Sequence, residues 1–157
     1  MRFSLQVYYA VSGVFDVAYN GFDAPVQVRI IGERQGIPTR YLEQIFQRLR
    51  RARIVRGKRG PGGGYVLARD PAEISLRQIV EAVEGPLVTG APPSVSGKGD
   101  ESTEVAEGSA HRPDFIWPVL AARFAASLDA VTVADLCRDA ARESVPRAAH
   151  DAYSYEI

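Results

Sequence analysis

Apolar positions near the start of the chain fall at Val7, Tyr8, Val11, Val14, Phe15 and Ala18, the spacing of one face of a 3.6-residue helix, and Asn20-Gly21 stop it. Arg2 ahead of an apolar stretch has the look of a signal peptide, but Ser4, Gln6 and Ser12 interrupt the run and no small-x-small cleavage site follows. Residues 26–52 read as two short helices around a tight turn. Gly36 permits a left-handed cap, Pro38 cannot continue the first helix, and Thr39 is the expected N-cap of the second. In that second helix Leu42, Ile45, Phe46 and Leu49 form the buried stripe, while Arg40, Gln44, Gln47 and Arg51 project from the opposite face. This is a helix–turn–helix pair.

Two β-type runs, 54–59 and 65–68, flank the tip Gly60-Pro61-Gly62-Gly63-Gly64 and predict a hairpin. Ser75-Leu76-Arg77-Gln78 has capping-box form and starts a helix that turns Ile79, Val80 and Val83 inward and ends near Gly85-Pro86. Thirteen of the 27 residues from 87 to 113 are Gly, Pro, Ser or Thr, which predicts a flexible loop. A second helix pair follows. Trp117, Leu120, Ala121, Phe124, Ala125 and Leu128 keep helical spacing, Pro118 belongs in the first turn, and Thr132 with Asp135 caps the last helix.

Charge changes this picture more than composition does. The 157 residues hold 19 basic and 19 acidic side chains, but residues 1–86 carry 13 basic against 8 acidic and residues 87–157 carry 6 against 11. Between Arg48 and Arg59 seven of twelve residues are basic and none is acidic. That asymmetry predicts a polyanion-binding half and a half with another task. One cysteine supplies neither an internal disulfide nor the thiolates of a metal site, and suits a reducing, cytoplasmic setting. No uncharged stretch approaches the roughly 20 apolar residues of a membrane span.

A basic helix followed by a basic hairpin suits duplex DNA. The helix fits the major groove, the hairpin reaches the flank, and Lys and Arg displace counterions from phosphates. Thr39, Arg40, Tyr41, Glu43 and Gln44 lie in the first turns, where recognition helices meet base edges. Glu43 suits cytosine N4, Gln44 suits adenine and Arg40 guanine. Arg48, Arg51, Lys58 and Arg59 suit phosphates, with Gly60 and Gly62 at the hairpin tip close to the duplex. The glycine run lacks the terminal Gly-Lys-Ser/Thr of a phosphate-binding loop, and no Ser/His/Asp or Cys/His arrangement points to an enzyme.

Glu33-Arg34-Gln35-Gly36-Ile37, Tyr41-Leu42-Glu43-Gln44-Ile45-Phe46, Leu49-Arg50-Arg51-Ala52, Arg59 to Tyr65 and Ile79 to Pro86 together strongly resemble the Rrf-two family of bacterial winged-helix transcription regulators, densely over 1–86 and more loosely at Trp117 and Ala134-Asp135-Leu136. The resemblance implies a mainly α fold with a small β-hairpin wing, and a homodimer on a pseudo-palindromic operator. Residues 114–128 would form the long dimerisation helix, with Trp117, Leu120, Phe124 and Leu128 at its interface. Two departures stand out. Leu5 to Tyr9 replace the family's basic N-terminal pattern. The three cysteines that iron–sulfur members place after the Glu-Gly-Pro motif are missing, while Cys137 lies in a later helix and His111 alone holds no cluster. No cofactor is therefore expected, and Cys137 reads as a packing residue.

The ending through Tyr155, Glu156 and Ile157 resembles the tail of the family's CymR type, which implies cysteine synthase as a partner, with the terminal carboxylate captured by backbone donors and Ile157 in an apolar pocket. The expected organisation is a DNA-binding domain over 1–86, a loop over 87–113, dimerisation helices over 114–144 and a tail over 145–157. The function it points to is a repressor reporting cysteine or sulfur status. A small-molecule or thiol signal, and an interaction module with vestigial DNA binding, are the alternatives.

Overall fold

The computed structural model describes residues 3–21, 24–87, 113 and 115–148. The expected loop, apart from Leu87 and Pro113, lies outside them, as do His111, His150 and the tail residues Tyr155, Glu156 and Ile157.

Ser4 caps α1 (Leu5–Asn20) by accepting the Val7 N–H at 3.2 Å, and its own hydroxyl donates to Glu84. After Val26 come α2 (Val28–Gln35) and α3 (Thr39–Arg51). Gly36 sits at φ 66°, the left-handed conformation the turn requires, and its N–H reaches back to the Gly32 carbonyl. The N-cap of α3 is Pro38, not the expected Thr39. Proline's locked φ, here −60°, suits the entry, and its carbonyl accepts the first helical N–H, from Tyr41 at 3.0 Å. Thr39 becomes the first helical residue.

Antiparallel β1 (Val55–Lys58) and β2 (Gly64–Leu67) form the hairpin, in register from Val55 opposite Leu67 to Lys58 opposite Gly64. Val26 adds a single bridge to Tyr65, with N–H···O bonds of 2.9 and 2.8 Å. Gly64 has φ 155°, and a Cβ there would come within 2.5 Å of the Val26 backbone, so the close strand approach demands glycine. One 3-10 turn, Pro71–Glu73, leads into α4 (Leu76–Glu84), and α5 (Ile116–Asp129) and α6 (Val133–Arg142) complete the order. Pro118 falls in the first turn of α5 as expected.

Helix α1 is the centre, packed by α2, α3, α4, α6 and β2. Its buried face is Val7, Ala10, Gly13, Val14 and Val17, whereas Tyr8 is 59% exposed. The sequence stripe is therefore rotated, because α1 is apolar nearly all round and its period alone does not choose a face. The α3 stripe is as expected: Leu42, Ile45, Phe46 and Leu49 are all buried. A methyl at Gly13 would sit 2.8 Å from the Phe46 ring, so α1 and α3 approach more closely than any side chain there allows.

Asp16 on α1 is fully buried and satisfied. It accepts from Arg34 Nε at 3.1 Å and Nη2 at 2.5 Å, Gln35 Nε2 at 2.8 Å and Asn20 Nδ2 at 3.3 Å, which ties α2 to α1. Beyond α6 the chain folds back on the far end of α1: the Tyr19 hydroxyl donates to the Val145 carbonyl at 2.8 Å, and the Ala148 N–H donates to Asn20 Oδ1 at 2.8 Å. The Arg147 guanidinium lies 4.6 Å over the Tyr19 ring. Among the described residues no helix is long and apolar enough to cross a membrane.

Candidate nucleic-acid interface

The buried stripe of α3 anchors it to α1, so its polar face is left to solvent. Arg40, Tyr41, Glu43, Gln44, Gln47, Arg48, Arg50 and Arg51 are all exposed, and Thr39 is half-buried. Three basic residues close the helix, followed by Arg53 at φ 57°. That left-handed residue reverses the chain, with the Ile54 N–H returning to the Leu49 carbonyl at 3.0 Å, and so launches β1 directly from the basic end of α3. On the hairpin Arg56, Lys58, Arg59, Gly60 and Gly62 are exposed. The two glycines have φ 99° and 72°, and each has open space where a Cβ would stand.

Not every side chain on this surface is free to move. Arg40 lies with its guanidinium 4.6 Å over the Tyr41 ring and donates to the Tyr41 hydroxyl at 2.8 Å. Tyr41 in turn meets Tyr9 of α1 at 6.3 Å between ring centroids. Arg48 Nη1 donates to Gln6 at 2.7 Å and to the Val83 carbonyl at 3.0 Å, which fastens α3 to the start of α1 and the end of α4. An open cavity of about 560 Å³ runs beside it, lined by Arg48, Arg51, Glu81 and Glu84.

The C-terminal helices present a different surface. Ala125 and Leu128 of α5 are buried against the rest of the chain, and Phe124 is half-buried, its ring 6.4 Å from that of Phe3. Phe115, Ile116, Trp117, Val119 and Leu120 are exposed. Trp117 and Leu120 thus stand where a partner could reach them. Leu128, expected at the dimer interface, belongs instead to the chain's own core, because the last turn of α5 packs on α4.

Sequence reasoning overlooked several side chains that hold these surfaces in place. Asp16 gave no signal, since the partners that tie it to α2, Arg34 and Gln35, lie 18 and 19 positions away on another helix. Asp129, clasped by Arg77 at 3.0 Å and Ser75 at 2.8 Å, was hidden for the same reason. Those two partners hold its carboxyl below the usual carboxylate range, Arg77 more strongly than Ser75.

A helix–turn–helix whose second helix opens into a basic two-stranded wing defines a winged-helix transcription regulator. The chain belongs to the Rrf2 family, whose model, described as an iron-dependent transcriptional regulator, matches residues 3–139. Among its relatives, the transcriptional regulator IscR of Photobacterium profundum is 37% identical over 139 residues, 88% of this chain and 77% of that protein. The structure of T. potens IscR matches with a TM-score of 0.70 and 31% identity over 94% of each chain. CymR (YrzC), the global cysteine regulator of B. subtilis, matches with a TM-score of 0.67 and 27% identity over 88% of this chain and 98% of its own.

The donors of this chain do not fit the iron–sulfur cluster that such a family suggests. Clusters are held by several thiolates, and the sequence contains one cysteine. Cys137 is half-buried on α6 against the core, and burial pushes its thiol up, with Arg147 opposing the shift. A raised thiol is a poor thiolate donor. Among the described residues no three His, Cys, Asp or Glu side chains converge on a metal site.

Proposed function

We propose that the chain is a homodimeric repressor without an iron–sulfur cluster, which reads a pseudo-palindromic operator and acts by occluding it. The observation that carries this reading is the basic run from the end of α3 into the wing: Arg50, Arg51, Arg53, Arg56, Lys58 and Arg59 are all exposed, with no acidic residue between positions 48 and 59 of the chain. Such a surface gains affinity by releasing counterions from phosphates. Thr39, Arg40, Tyr41, Glu43 and Gln44 occupy the first turns of α3 and read base edges. Arg51, Lys58 and Arg59 hold phosphates, Gly60 and Gly62 let the wing tip approach the duplex, and Arg48 braces the helix and adds its charge to the phosphate-facing set.

The second copy covers the apolar α5 surface of Trp117 and Leu120. A run of five exposed large apolar side chains on one short segment is the composition of an interface core. The dimer brings two α3 helices to successive major-groove faces, about 34 Å apart.

The signal enters from cysteine synthase, which captures Tyr155, Glu156 and Ile157. The likeness to a cysteine regulator supports this choice of signal.

Selection of duplexes from a random-sequence pool, followed by titration of the enriched duplex at two salt concentrations, tests the DNA-binding reading. Sequence-selective binding with a steep salt slope is the expected result; weak, salt-insensitive binding contradicts it. Deleting Ile157 is expected to abolish pull-down of cysteine synthase and leave operator binding intact. Persistent pull-down by the shortened chain rules out capture through Ile157.

A further inference from the structure

The reading head and the α5–α6 pair meet at one compact joint. Ser75 and Thr132 pair as an isolated antiparallel bridge, with Leu76 N–H to the Val131 carbonyl and Val133 N–H to the Ile74 carbonyl, both 2.9 Å. Each bridged residue is also the N-cap of a helix with a complete capping box, Ser75 with Gln78 for α4 and Thr132 with Asp135 for α6. Ile74 and Val133 beside them are fully buried. The starts of α4 and α6 are therefore locked side by side. Helix α5 reaches this joint only through its last turn.

What fixes that turn is Asp129. Its Oδ1 accepts from the Ser75 hydroxyl at 2.8 Å, and its Oδ2 accepts from Arg77 Nη1 at 3.0 Å. Arg77 Nε is held by Glu81 at 3.0 Å, and Glu81 also accepts the Leu87 N–H at 3.2 Å. Gln78 Oε1, which completes the Ser75 capping box, accepts from Arg69 at the foot of the wing at 3.1 Å, and Arg69 Nε donates to the Arg53 carbonyl at the end of α3. One polar chain thus runs from the base of α5 to the junction of α3 and β1. The apolar contacts of Ala125 and Leu128 hold α5 against α4, but they are non-directional. The two hydrogen bonds to Asp129, one to each carboxylate oxygen, are directional.

We propose that Asp129 is a positioning residue that sets the separation of the two half-sites the dimer reads, by fixing the dimer helix α5 in one orientation against the reading head. The inference rests on the dimeric reading above and deepens it. With half-sites about 34 Å apart, each α3 lies about 17 Å from the two-fold axis. The two-fold doubles any shift, so an outward movement of about 1.7 Å in each α3 already changes their separation by one base-pair rise of about 3.4 Å. A clasp that restricts rotation at the joint therefore selects a single spacer length, and a joint without it admits neighbouring spacers.

The test uses the full chain and the duplex enriched by the wild type, together with the same duplex lengthened or shortened by one base pair between half-sites and a duplex carrying one half-site. Affinities are read by fluorescence anisotropy. The wild type is expected to prefer its own spacer by about tenfold or more. In Asp129→Ala and in Arg77→Ala, which severs the same contact from the α4 side, that preference is expected to fall at least threefold, while affinity for the single half-site stays within twofold. Asp129→Glu, which keeps the charge, restores part of the preference. A wild-type spacer preference in both alanine variants overturns the positioning role, and so does a loss matched by an equal loss on the single half-site, which marks general loosening. A monomeric wild type overturns the dimeric reading first and this role with it; a dimeric wild type with unaltered variants overturns this role alone. If Asp129→Ala does not fold, Arg77→Ala and Asp129→Glu decide the matter.

Discussion

Helices α3 and α5 each bury one face in the same molecule, and their outer faces could hardly differ more. Outside its stripe of Leu42, Ile45, Phe46 and Leu49, α3 shows solvent four arginines, two glutamines and one glutamate. In its N-terminal half, α5 with its leading residue shows phenylalanine, isoleucine, tryptophan, valine and leucine. Water solvates the first face at no cost, so its composition answers to what it binds. The second face is costly to leave in water, at roughly 25 cal/mol per Å² of apolar surface, so its composition answers to what covers it. Amphipathicity identifies the inner face of a helix, and the chemistry of the outer face identifies its partner.

The sharpest way to break this contrast is to place a charge on the apolar face. Leu120→Glu would bury an unpaired carboxylate at the proposed dimer interface, and it is expected to yield monomers at micromolar concentration in analytical ultracentrifugation. Leu128→Ala, on the same helix but in the chain's own core, is expected to lower unfolding stability by about 2–4 kcal/mol and leave the dimer intact at low temperature. A Leu128→Ala protein of normal melting temperature that dissociates would reverse the assignment of that residue.

Smaller effects are expected on the charged face. Glu43→Ala is expected to relax base preference at one position per half-site by about 1–3 kcal/mol, read from binding to a panel of single-base variants. Arg51→Ala is expected to weaken binding to all sequences alike and reduce the salt slope by about one. A change of base preference without a change of slope would move Arg51 from phosphate to base.

The smallest effect is one of pH. Asp129 is held below its ordinary range by Arg77 and Ser75, and Asp135 by the Thr132 backbone N–H and hydroxyl and by Arg138. A carboxyl lowered on folding favours the native state wherever it is ionised. Its contribution is complete above the unfolded value, about 3.9 for aspartate, and is lost as pH falls through the lower native value. Melting curves of Asp129→Asn are therefore expected to fall less steeply than wild type below about pH 4.

The sequence was most legible where local chemistry decides the outcome. Gly36-Ile37-Pro38, the α3 stripe, the glycine-tipped hairpin and both capping boxes depend on residues within a few positions of one another. It was least legible where several helices compete for one residue. The face of α1 was misjudged because neighbours surround it, and Thr39 lost the cap to Pro38, whose fixed φ served better. Leu128 lies on the helix that the family resemblance marks for dimerisation, and only the packing of α5 on α4 places it inside. Asp16 with Arg34, and Asp129 with Arg77, join positions that no short pattern connects. The exposed residues of the candidate site were legible as a basic run, but the bracing of Arg48 by Gln6 and Val83 was not.

The return of the chain onto α1 has a practical consequence. With Val145 bonded to Tyr19 and Ala148 to Asn20, residue 148 is moored one helix away from the helix–turn–helix, at the end of α1 that also carries the Asp16 knot. A dye attached at position 148 would sit on the DNA-reading half of the molecule, away from the α5 surface, so its depolarisation would report the slower tumbling of that half when a duplex arrives without disturbing the dimer face.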